Sequence, residues 1–142
     1  MAASIMPLRI LLAEDTDHDA AIFLRAFKKN DLPYTIKHVS RGDEALKILQ
    51  ADHTSFNLLV TDYQMPGMNG LDLCRAIIKQ EIPLPVVLLT GTGSEVLAVE
   101  ALKAGAEDYL IKDMTGGYMD LLPLVLPRAI EKYHNRVAKQ QA

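Results

Sequence analysis

Leu58-Leu59-Val60-Thr61-Asp62-Tyr63-Gln64-Met65-Pro66-Gly67-Met68-Asn69-Gly70 passes from an apolar run, through one aspartate, into a loop of turn-forming residues. A short apolar run without alternation is the pattern of a strand covered on both faces, the usual state of a strand in a parallel sheet. Pro66, Gly67 and Gly70 end it, and Asn69 is placed to cap a helix over residues 71–79. Asp62 therefore falls at the carboxyl end of a buried strand, the edge where open α/β sheets bind ligands.

Outward from this unit the same arrangement recurs. Apolar segments at 8–13, 34–39, 57–61, 85–90 and 107–111 alternate with helical patterns over 17–29, 42–50, 71–79 and 95–104. This predicts βαβ units and a five-stranded parallel sheet with helices on both faces. Lys37 and His38 make the second segment more polar, as at a sheet edge. Thr16 with Asp19, Ser40, Asn69 and Ser94 are expected to cap helix starts, and Gly105 to stop the fourth helix. Leu122, Leu126, Ala129, Ile130, Tyr133 and Val137 recur at helical spacing to about the end of the chain. Pro123 and Pro127 lie within that stripe, so the last helix either begins near Pro123 or is kinked.

The 142 residues, 49% hydrophobic and 23% charged, suit one globular domain over 1–142 with a core at about 7–135 and a short helical extension. A net charge of −3 provides no basic field for duplex nucleic acid. The N-terminus has no signal-peptide pattern, and no apolar run approaches the ~18 residues that span a bilayer, so the expectation is a soluble, cytoplasmic protein without a membrane partner. Cys74 is the only cysteine and sits on an apolar helix face, which favours burial over redox chemistry. His18, His38, His53 and His134 show no metal-ligand spacing.

The chemistry gathers at strand ends. Glu14 and Asp15 follow the first strand, Asp62 the third, Thr90 ends the fourth and Lys112 follows the fifth. Clustered carboxylates repel one another, and a hard divalent cation, Mg²⁺ with Mn²⁺ as its substitute, relieves that repulsion. Asp62 would then attack a phosphoryl group whose oxygens the cation and Lys112 neutralise, and Thr90 would hydrogen-bond the product. Taken singly, Asp62 is a turn cap, Glu14 and Asp15 a solvated loop, Thr90 a strand residue and Lys112 a surface lysine. Their coincidence at one sheet edge favours the joint reading.

The stretches ILLAEDTDHDA, LLVTDYQMPGMNGLDLC, VVLLTGTGS and ALKAGAEDYLIKD resemble, in order and spacing, the receiver domain of two-component response regulators. The resemblance spans nearly residues 8–135 and implies a flavodoxin-like fold of strand order 2-1-3-4-5. It also implies phosphoacceptor Asp62, metal-binding Glu14 and Asp15, phosphate-binding Lys112, switch residues Thr90 and Tyr109, and a metal contact from the Gln64 backbone carbonyl. Gln64 and Thr92 hold places that influence phosphoryl lifetime in similar receivers. Asp113 departs from the family pattern, which has proline after the lysine; the peptide there is expected to be trans.

The implied function is a stand-alone phosphoreceiver. It takes phosphate from a sensor histidine kinase or a histidine phosphotransfer protein and signals to an unidentified effector, as a monomer or weak homodimer. Two other classes compete: a Mg²⁺-dependent phosphohydrolase using an aspartyl-phosphate, and a receiver-like interaction module that is never phosphorylated. Hydrolases of the haloacid dehalogenase type carry a second aspartate where this chain has Gln64. A glutamine amide is neither acid nor base.

Overall fold

A computed structural model describes residues 7–29, 33–91, 95–112 and 117–141. Five strands, β1 (Leu8–Ala13), β2 (Tyr34–Val39), β3 (Leu58–Asp62), β4 (Val86–Gly91) and β5 (Asp108–Lys112), pair in parallel in the order β2-β1-β3-β4-β5. Helices α1 (Asp17–Lys29), α2 (Gly42–Asp52), α3 (Gly70–Lys79), α4 (Glu95–Lys103) and α5 (Tyr118–Gln141) complete a flavodoxin-like fold.

Strand alternation sorts the core into two halves. Ile10, Leu12, Val60, Val87, Leu89 and Leu110 face α1 and α5, where they meet Phe23, Phe27, Leu122 and Leu126. Leu11, Ala13, Leu59, Val86 and Leu88 face the other way, toward Leu49 of α2, Leu73 and Ile77 of α3, and Ala101 of α4. Both faces being covered is why β3 is buried at every residue. β2 alternates between half-buried and exposed positions along most of its length, as its edge place requires.

β3, β4 and β5 each lie one residue later than their sequence signals suggested. Asn57 shows why for β3: its side chain accepts from the Arg9 amide at 2.9 Å and donates to the Pro7 carbonyl at 3.0 Å, acting as the strand's lead-in. The shift makes Asp62 and Lys112 the terminal residues of their strands, paired with Leu89 and Gly91.

Two caps are as expected. The Thr16 hydroxyl accepts from the Asp19 amide at 3.1 Å, and Asn69 Oδ1 accepts from Asp72 at 2.8 Å. Ser40 is not the cap: α2 begins at Gly42 as expected, and its cap position is held by an extended Arg41 whose side chain makes no capping bond. Two first-turn donors are satisfied elsewhere: Gly42 N donates to the Pro66 carbonyl at 3.2 Å and Glu44 N to Asp43 Oδ1 at 3.0 Å. Ser94 lies outside the described residues.

α5 does not start at Pro123; it runs as one continuous helix from Tyr118 to Gln141 with both prolines inside it. Leu122, Leu126, Ala129 and Ile130 are buried on either side of Pro127, so packing outweighs the missing backbone bond. Its last turns are fastened to the start of β5. The buried carboxylate of Glu107 accepts from Arg136 Nε at 3.1 Å, and the Glu107 carbonyl accepts from Lys132 Nζ at 3.0 Å. Among the described residues no helix is long and apolar enough to cross a membrane.

Candidate functional site

Parallel pairing brings the carboxyl ends of β1, β3, β4 and β5 to one edge, and the chemistry follows them there. Glu14, Asp15 and Asp62 each offer a carboxylate oxygen, all within 4.8 Å of one another. Glu14 is 2% exposed and Asp62 8%, whereas Asp15 faces solvent. A cleft of about 420 Å³ is lined by Asp15 and Asp62 together with Gln64 and Lys112.

Lys112 reaches into this cluster from the end of β5. Its Nζ donates to Glu14 Oε2 at 3.1 Å, to Asp62 Oδ2 at 3.0 Å and to Asp19 Oδ2 at 2.9 Å. Asp19 was legible only as a helix-cap partner of Thr16. No spacing signals that its side chain turns to a lysine 93 residues later.

One ammonium does not balance four carboxylates. Burial, and then the charge of Asp62, pushes the Glu14 carboxyl up to about 7 against the pull of Lys112. Burial raises Asp62 too, with Asp15 adding to the rise and Lys112 opposing it. Burial works against the charge on Lys112, but its bond to Asp19 and the charges of Asp62 and Glu14 outweigh it, and the lysine is held above its ordinary range. Asp19, nearer solvent, is lowered because Lys112 overcomes its burial. Unrelieved negative charge on hard oxygen donors, with one side open to solvent, fits a Mg²⁺-sized cation.

Thr90 stands on β4 one residue beyond Leu89, the partner of Asp62. Its hydroxyl is fully buried and, among the described residues, is the one buried side-chain polar atom with no hydrogen-bond partner. Tyr109 is half-buried on β5 and packs in the same half of the core as Leu88, its ladder partner. The period of two puts Thr90 on that same sheet face, so the two side chains are neighbours on adjacent strands. Thr92 and Asp113 lie outside the described residues. Cys74 is buried as expected, and burial lifts its thiol to about 11, which leaves it inert.

The family described as "Response regulator receiver domain" matches residues 10–120. The chain belongs to that family. This receiver is 36% identical over 105 residues to the response regulator RppA of Synechocystis, an alignment covering 74% of the chain and 44% of that protein. It is 35% identical over 105 residues to the two-component response regulator ARR14 of Arabidopsis thaliana, covering 74% and 27%. The receiver thus spans less than half the length of these curated relatives. Among solved structures, a signal receiver domain from Vibrio parahaemolyticus superposes with a TM-score of 0.77 at 28% identity, covering 94% of this chain and 97% of that one. A response regulator receiver from Clostridium thermocellum gives 0.72 at 28%, covering 94% and 98%. Receiver domains bind Mg²⁺ through acidic residues and interact with histidine kinases or phosphotransfer proteins, and the acid trio is the matching feature in this chain.

Proposed function

We propose that the protein is a phosphoryl-accepting switch with Asp62 as acceptor. An Asp62 oxygen attacks the phosphorus of a phosphohistidine on a sensor kinase or phosphotransfer protein. The new O–P bond replaces the P–N bond, and the electron pair leaves with the imidazole. Bound Mg²⁺, or Mn²⁺, supplies charge neutralisation on the phosphoryl oxygens; Glu14, Asp15, Asp62 and the Gln64 backbone carbonyl are the groups that would hold it. Lys112 exchanges its bond to Asp62 for one to a phosphoryl oxygen, and the Thr90 hydroxyl donates to another. Tyr109 then moves toward the space Thr90 leaves, which carries the change to α4, β5 and α5 and so to an effector protein.

The observation that carries this reading is the Lys112–Asp62 contact of 3.0 Å inside a trio of convergent acids. With Mg²⁺ and a small acyl phosphate donor, the protein is expected to gain one hydroxylamine-labile phosphoryl group that Asp62→Asn does not gain. Full labelling of that variant would overturn the assignment. Multiple turnover of simple phosphomonoesters would point instead to the hydrolase.

A further inference from the structure

We propose that Gly42, the first residue of α2, is a positioning residue for the β3–α3 loop, so that cation affinity is governed from a helix that contributes no ligand. The inference rests on the metal site formed by Glu14, Asp15, Asp62 and the loop residue Gln64.

Space at Gly42 is the first ground. A Cβ built there would lie 1.9 Å from the Met68 carbonyl oxygen and 2.8 Å from its carbon, both backbone atoms of the loop. These are far inside contact distance, so any side chain at 42 displaces the loop. Glycine, having no Cβ, permits this close approach of two backbones, which alanine would not. The approach is bonded as well as tight, through Gly42 N to the Pro66 carbonyl at 3.2 Å.

A second contact holds the loop from the same helix end. Arg41 and Asp43 form a forked pair, Nε to Oδ1 at 3.0 Å and Nη2 to Oδ2 at 3.2 Å, close beside Gly67. A Cβ on Gly67 would meet Asp43 Oδ1 at 2.3 Å and Arg41 Nη2 at 2.7 Å, and its φ of +79° is itself a conformation that favours glycine. The loop's ends are already tied. Tyr63 N donates to Leu89 O at 2.9 Å and Gly70 N donates to Tyr63 O at 2.8 Å. Between these ties, residues 64–69 face the start of α2, and a loop displaced from Gly42 would carry Gln64 with it. The helix start sets the loop's limit.

Calorimetric Mg²⁺ titration of the full chain, together with amide spectra of the metal-free protein, tests this. Gly42→Ala is expected to bind Mg²⁺ about tenfold more weakly, the scale seen when groups supporting metal ligands are changed. In the metal-free state it should shift amides of residues 64–70. Arg41→Ala, on an exposed pair, should weaken binding less but in the same direction. Ile130→Val, destabilising but in the α1–α5 half of the core, whose cluster holds no residue of the loop, should leave affinity unchanged. Wild-type affinity in a folded Gly42→Ala protein, or in Arg41→Ala where Gly42→Ala does not fold, would overturn the proposal. An equal loss of affinity in Ile130→Val would do the same, by reducing the effect to general stability. Failure of the native protein to bind Mg²⁺, or undiminished binding by Asp15→Asn, would remove the metal site and the inference with it, an outcome distinct from the others.

Discussion

Thr90 and Glu14 are both held at a disadvantage in the resting state. A buried hydroxyl without a partner costs about 1–3 kcal/mol, and valine has nearly the same shape. Thr90→Val is therefore expected to raise the unfolding free energy of the unphosphorylated protein by roughly 1 kcal/mol. It should also abolish spectral changes at Tyr109 when a phosphoryl mimic binds; denaturant unfolding and NMR check the two halves. For Glu14, the folded carboxyl sits at about 7 against an ordinary 4.5, so between these values the folded state binds more protons than the unfolded one. The sign follows directly: metal-free stability falls as pH rises from about 4.5 to about 7, and Asp62, also raised, adds to the fall. Glu14→Gln should flatten that slope, and Mg²⁺ should reverse it by favouring the ionised form. A metal-free stability that climbs steadily through this range would contradict the arrangement.

At the scale of elements, α3 and α4 end in the same way with different residues. At α4, Gly105 N donates to Leu102 O and Ala106 N to Ala101 O, closing a Schellman turn with Gly105 at φ +112°. At α3, Glu81 N donates to Ile78 O and Ile82 N to Ile77 O, and the left-handed position is occupied by Glu81 at φ +56°. A side chain in that conformation costs about 1–2 kcal/mol, so Glu81→Gly is expected to stabilise the protein by about 1 kcal/mol in denaturant unfolding. No gain would mean that the Glu81 side chain makes up the difference. The two ends also show what a sequence discloses. Gly105 announces its turn by composition, as the apolar strands announce theirs by pattern, and both were legible. Glu81 carries no such mark, because long-range packing of Ile77 and Ile82 holds it in place. The same holds for α5, where buried leucines overrule two prolines, and for Asp19, whose partner is chosen by the fold. The cluster of Asp62, Glu14, Asp15 and Lys112 was legible because strand ends are marked; the side-chain contacts within it were not.

Across the whole molecule the sheet divides the interior. Ile77 belongs to the α2–α3–α4 half and Leu126 to the α1–α5 half, and the cluster of each stops at the strands. Ile77→Val should cost about 1 kcal/mol and Leu126→Ala about 3 kcal/mol. The double variant is expected to lose the sum within about 0.5 kcal/mol in denaturant unfolding. A coupling well above that would show that the halves share packing.

This partition has a consequence for how such a protein diverges. Asp62 and Lys112 alternate with one half, Thr90 and Tyr109 with the other, and the two pairs come together only at the rim where the strands end. Under the proposed function, repacking on the Thr90–Tyr109 side can therefore proceed without disturbing the side that bears Asp62, whereas α5, which packs on the Asp62 side, has no such freedom. A lineage would then change its audience through α4 more readily than through α5, provided the few rim residues are left alone.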